Sequence, residues 1–147
     1  MSIEIQNPSS TGTDNNPVTG SRYRTVMLID DNPLDNFVNR KLIESNGFAE
    51  QVTVCESASE ALLVLKNNTS ASMPELIFLD INMPGMDGFQ FLEAFAMLSE
   101  QHHRTCRIIM LSTSDSFKDL NRANRNRFVR KFLNKPLNAE VLKAIKV

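Results

Sequence analysis

From Tyr23 to the last residue, the chain repeats one pattern five times: a short run of β-branched and apolar residues, then a longer stretch with apolar residues at helical spacing. Parallel strands cannot be joined by a tight turn; each needs a crossover, and a helix is the usual one. The alternation therefore predicts an α/β fold, a doubly wound five-stranded parallel sheet with helices on both faces. At 147 residues and 41% hydrophobic content the chain can bury one real core, and the five units lead to the expectation of a single domain.

Strands are expected at residues 25–29, 52–55, 76–79, 107–111 and 129–133. The first helix has Asn32 as N-cap, Pro33 at its first position and Asn46-Gly47 as its stop, with Leu34, Phe37, Val38 and Leu42 expected on its inner face. A second helix covers about 57–66, with Ala61, Leu62 and Leu65 inward. A third covers about 88–98, with Phe91, Leu92, Phe95 and Leu98 inward. A weaker helix follows at about 115–123, and a last one starts near Asn138 and reaches the chain end. Residues 1–22 are Ser, Thr, Asn, Gly and Pro with hardly an apolar residue after Ile5, the composition of a disordered tail, so the folded domain is expected over 23–147.

A formal net charge of -1 gives no global attraction to nucleic acid or to a membrane surface. No apolar run approaches the roughly 18 residues of a membrane span, and the start lacks the basic and apolar regions of a secretory leader. The expected location is cytoplasmic. Cys55 and Cys106, beside apolar runs, read as reduced core thiols.

The polar residues that interrupt the apolar runs carry the functional information. Asp30 and Asp31, Asp80, Ser112 and Lys135 each fall just past the carboxyl end of a different predicted strand, the edge where doubly wound sheets bind ligands. Three carboxylates in one cleft repel one another and call for a cation, and an all-oxygen site with open positions suits Mg²⁺. A carboxylate on a metal, with an ammonium and a hydroxyl nearby, contains the parts of a phosphoryl-transfer site. In that reading Asp80 is the nucleophile, Lys135 the point charge on a phosphoryl oxygen, and Ser112 a hydroxyl that turns toward the phosphate.

The segments Leu28-Ile29-Asp30-Asp31, Leu79-Asp80-Ile81-Asn82-Met83-Pro84-Gly85-Met86-Asp87-Gly88, Met110-Leu111-Ser112 and Lys135-Pro136 together resemble the receiver domain of two-component response regulators, over about residues 23–147. The resemblance implies a flavodoxin-like, CheY-like (βα)5 fold in a stand-alone response regulator. It implies that Asp31 and Asp80 ligate Mg²⁺ with the backbone carbonyl of Asn82, that Asp30 acts through a metal-bound water, and that a histidine kinase or histidine phosphotransfer protein donates the phosphoryl group. Phe132 takes the place of the family's switch aromatic, which turns inward when Ser112 moves; otherwise it is an ordinary core residue. Such a domain is a phosphoacceptor with self-limited transfer and autodephosphorylation, not a turnover enzyme, and it signals to a downstream protein target that the sequence leaves unknown.

Some positions depart from the pattern or stay open. Thr113 stands where the family usually has a small residue and is expected to narrow access to Asp80, while Asn82 and Ser114 fall where receivers vary the lifetime of the acyl phosphate. Lys118, Arg122, Arg125, Arg127, Arg130 and Lys131 form a local basic face, read as a solvated surface or as a docking site for an acidic partner. Its alternative use is nucleic-acid binding. Another alternative is an aspartyl phosphatase, but that chemistry needs a second catalytic aspartate two residues after the nucleophile, where Asn82 stands. His102 and His103 read as surface residues without a metal partner; Met83, Met86 and Met110 read as gap fillers.

Overall fold

The structure, a computed structural model, describes residues 21–104, 106–113 and 116–147. Its strands are β1 (Tyr23–Ile29), β2 (Ala49–Cys55), β3 (Leu76–Asp80), β4 (Arg107–Ser112) and β5 (Val129–Asn134). Its helices are α1 (Pro33–Ser45), α2 (Ala58–Asn67), α3 (Gly88–Ala96), α4 (Glu100–His103), α5 (Phe117–Asn124) and α6 (Ala139–Ala144). All strand pairs are parallel, and the sheet order β2-β1-β3-β4-β5 puts the topological switch between β1 and β3. The short α4 and a 3-10 turn at Ser70–Ser72 were not expected, since neither is long enough to show a helical period.

Strand alternation divides the core into two layers. Met27, Ile29, Ile77, Leu79, Ile108 and Met110 point to one face and pack with Ala61, Leu65, Phe91 and Phe95 of α2 and α3. Val26, Leu28, Leu76, Phe78, Ile109 and Leu111 point to the other, against Ile43 of α1 and Leu142 of α6. All five residues of β3 are buried, as befits the middle strand of a sheet covered on both sides. Cys55 and Cys106 are free and buried, and burial pushes their thiols up to about 11 and about 12.

The helix ends follow the local sequence. Asn32 Oδ1 accepts from the amides of Leu34 and Asp35, Ser57 Oγ from Glu60, and Asn138 Oδ1 from Val141. Asp87 and Gln90 close a reciprocal capping box on α3. Gly47 terminates α1 at φ +64°, where a side chain would be strained. At the other end of the chain the Arg22 guanidinium donates to the carbonyls of Leu142 and Ile145, satisfying the open end of α6. Of the stretch read as a tail, residues 1–20 lie outside the described residues.

The expected inner face of α1 is not the one observed. Leu34, Phe37 and Val38 are exposed, at 68%, 60% and 52%, and Leu42 is half-buried. The inner face of α1 is instead Asn36, Asn39 and Ile43. The helix takes this phase because the Asn36 side-chain amide donates to the Asp30 carbonyl at 2.7 Å, tying α1 to the end of β1.

Candidate functional site

Strand register brings the polar residues together. Ile29 lies opposite Leu79, so Asp30 follows β1 beside Asp80 at the end of β3. Asp80 lies opposite Leu111, which sets Ser112 one residue further along β4. Ser112 lies opposite Asn134, and its carbonyl accepts from the Lys135 amide at 2.8 Å. The Lys135–Pro136 peptide bond is cis.

Carboxylate oxygens of Asp30, Asp31 and Asp80 lie within 4.8 Å of one another. Asp30 and Asp80 are buried and Asp31 is exposed, so the cluster opens to solvent on one side. The Lys135 ammonium sits among them, 2.7 Å from Asp30 Oδ2, 3.2 Å from Asp80 Oδ1 and 3.4 Å from Asp35 Oδ2. Burial pushes the Asp80 carboxyl up from 3.8 to about 6, with repulsion from Asp30 adding to it, Lys135 opposing it and Asp31 contributing least. Burial lowers Lys135, but its hydrogen bonds and charge contacts with Asp30 and Asp80 outweigh that and raise it to about 12, so it stays cationic through the physiological range. One ammonium among four carboxylates leaves an excess of negative charge, and this all-oxygen donor set with an exposed member fits a hard divalent cation.

The loop after Asp80 is shaped by two glycines. Gly85 adopts φ +78°. Gly88 donates its amide to the Ile81 carbonyl at 2.8 Å, and a Cβ on it would lie 2.8 Å from the Asp80 carbonyl oxygen and 3.0 Å from Ile81 Cα. Asn82 is exposed, Met83 is buried and Met86 is half-buried against the core. Ser112 is fully buried, Phe132 is half-buried and packs on the layer of α2 and α3, and Thr113 is exposed. Ser114 and Asp115 lie outside the described residues.

Three contributors escaped the sequence reading. Asp35, in the first turn of α1, reaches Lys135; Asn36, 3% exposed, anchors the Asp30 backbone; Gly88 lets α3 approach β3. The signal for Asn36 was the stripe Asn36, Asn39, Ile43 at i, i+3, i+7, which an apolar count passes over. The histidines, expected on the surface, are both half-buried. His103 bonds the Leu98 carbonyl at 2.7 Å and packs between the rings of Phe95 and Phe128. The six basic residues from Lys118 to Lys131 are all exposed, and Arg122 lies 3.9 Å over the Phe89 ring.

Comparison with known proteins agrees with this geometry. Residues 26–146 match the family model of the response regulator receiver domain. The chain is 30% identical over 120 residues to the probable methanogenesis regulatory protein FilR2 of Methanothrix harundinacea, covering 80% of this chain and 76% of that protein. It is 27% identical over 139 residues to the sensor protein GacS of Pseudomonas syringae, matching 95% of this chain but only 15% of that protein. Among solved structures, a two-component response regulator from Cytophaga hutchinsonii superposes with a TM-score of 0.75 at 29% identity, over 82% of this chain and 92% of that one. No helix among the described residues is long and apolar enough to cross a membrane.

Proposed function

Because the chain belongs to the response-regulator receiver family of two-component systems, we propose that Asp80 accepts a phosphoryl group from a phosphohistidine on a histidine kinase or histidine phosphotransfer protein. The observation that carries this reading is the Lys135 ammonium 3.2 Å from Asp80, within a carboxylate cluster at the carboxyl edge of the sheet. An Asp80 carboxylate oxygen attacks phosphorus as the phosphorus–nitrogen bond breaks, and the leaving imidazole takes up a proton. Lys135 stabilises charge on the phosphoryl oxygens, and Ser112 donates its hydroxyl to one of them. Asp31, Asp80 and the Asn82 carbonyl would hold Mg²⁺, with Asp30 acting through water; the ion would screen the approach of an anionic donor to an anionic nucleophile.

Receiver domains are phosphoacceptors rather than turnover enzymes, and the uncharged Asn82 two residues past Asp80 supports that assignment here. Movement of Ser112 toward the phosphate would let Phe132 turn inward and change the surface offered to a downstream protein. The exposed Leu34, Phe37 and Val38 on α1, beside the acidic cluster, support docking of the donor at that helix. Free, buried thiols fit a cytoplasmic setting.

The test is intact mass after incubation with acetyl phosphate and Mg²⁺, and in parallel with a phosphorylated phosphotransfer domain. Wild type should gain about 80 Da, one phosphoryl group, and Asp80→Asn should gain nothing while keeping its circular dichroism. Labelling of Asp80→Asn at the wild-type level would move the acceptor elsewhere.

A further inference from the structure

At the amino ends of β4 and β5, across the sheet from the acidic cluster, lies a cavity of about 290 Å³. Among the described residues four arginines line it, Arg104 after α4, Arg107 on β4, and Arg127 and Arg130 before and on β5, against one carboxylate, Glu100. We propose that this cavity is a binding site for a small polyphosphate-bearing anion, separate from the phosphoacceptor site.

Charge complementarity is the first argument. Arg104, Arg127 and Arg130 are exposed, and none of the three is in an ion pair among the described residues. Guanidinium forks converging on one concavity match the paired oxygens of phosphate groups, which lysines match only as point charges. The whole chain carries a formal charge of -1, so this concentration is local.

Preorganisation is the second. The register of β4 and β5 shifts between Ile108 and Ile109: Val129 pairs with Ile108 and Lys131 with Ile109, which leaves Arg130 as the extra residue of a bulge. Bulges re-aim side chains, and this one gives Arg130 to the cavity. Arg127 is stacked 4.3 Å over the Phe128 ring, and Phe128 is braced by His103, whose ring centroid lies 5.0 Å away. Holding guanidinium planes in place lowers the ordering cost of binding.

The volume favours a compact ligand over a polymer: it lies near the lower end, about 300 Å³, of small-molecule sites. β4 runs six residues, on the order of 20 Å, from Arg107 to Ser112, so a ligand here does not occupy the cleft at Asp80.

The experiment is calorimetric titration of the full chain with inorganic tripolyphosphate in Mg²⁺-free buffer of low ionic strength, which keeps the acidic cluster from recruiting the probe. Wild type should bind, and Arg127→Gln/Arg130→Gln should weaken binding at least about tenfold, as expected for losing charge-assisted hydrogen bonds. Lys118→Gln/Arg125→Gln, on the neighbouring face, should leave it within about twofold. Should the double variant fail to fold, Arg104→Gln at the exposed end of α4 replaces it with the same expectation. Absence of binding, equal loss in both double variants, or displacement of the probe by random duplex DNA would overturn the proposal, the last in favour of a nucleic-acid surface. Since Asp80→Asn should bind tripolyphosphate as wild type does, this result stands or falls apart from the phosphoacceptor assignment.

Discussion

Lys135 meets Asp30, Asp80 and Asp35 within 3.4 Å, yet Asp80 still rises to about 6, because burial and the Asp30 charge outweigh the ammonium. Between pH 3.8 and about 6 the folded chain therefore binds more protons at Asp80 than the unfolded chain does, and stability falls as pH rises through that window. In Mg²⁺-free buffer Asp80→Asn removes this penalty. It should be more stable than wild type near neutral pH, by on the order of 1–3 kcal/mol, with the gain vanishing below about pH 4. Urea unfolding across that range checks it; equal stabilisation at every pH would assign the effect to packing. Asp30, Asp31, Asp80 and Lys135 were legible in the sequence because a charged residue at the end of an apolar run stands out. Asp35, Asn36 and Gly88 were not, because their contributions depend on which way α1 and α3 face, a property of contacts between elements.

At the level of elements, α1 shows where periodicity misleads. Apolar residues at helical spacing identified the helix and its ends, but a buried amide bond to the Asp30 carbonyl set its phase and turned Leu34, Phe37 and Val38 outward. Phe37→Ser should accordingly change stability by less than about 0.5 kcal/mol, while slowing phosphotransfer from a protein donor and leaving labelling by acetyl phosphate unchanged. Equal slowing with both donors would argue against donor docking at α1. The contact between α3 and β3 is the opposite case, since the sequence marked Gly88 as a helix start and as the end of a motif, but not as a packing contact. Gly88→Ala places a methyl 2.8 Å from the Asp80 carbonyl oxygen, which is backbone and cannot rotate away. A loss of about 1–3 kcal/mol is expected, together with slower labelling of Asp80, read by chemical unfolding and by intact mass. Wild-type behaviour in both would show that α3 can shift freely from the strand.

Over the whole molecule, charge is sorted to the two ends of the sheet, carboxylates at the carboxyl ends of β1 and β3 and arginines at the amino ends of β4 and β5. The order β2-β1-β3-β4-β5 was legible as a class from five strand-helix units; the arginine cavity was not, because it joins α4, too short to predict, to a bulge that leaves no mark in composition. The acidic end costs stability as long as its charge is uncompensated, so a ligand that neutralises it couples to folding of the entire domain. A divalent cation that binds the folded state alone stabilises by RT ln(1 + [L]/Kd), about 2.7 kcal/mol at a hundred times Kd. Mg²⁺ at millimolar levels should therefore raise the thermal midpoint of wild type. Asp31→Ala, which removes the exposed carboxylate and leaves the buried pair with Lys135 intact, should abolish most of the rise while changing the metal-free midpoint little. Na⁺ at matched ionic strength separates screening from coordination: an equal rise with Na⁺, or a full Mg²⁺ response in Asp31→Ala, would remove Asp31 from the metal site and leave Lys135 as the cluster's working counterion.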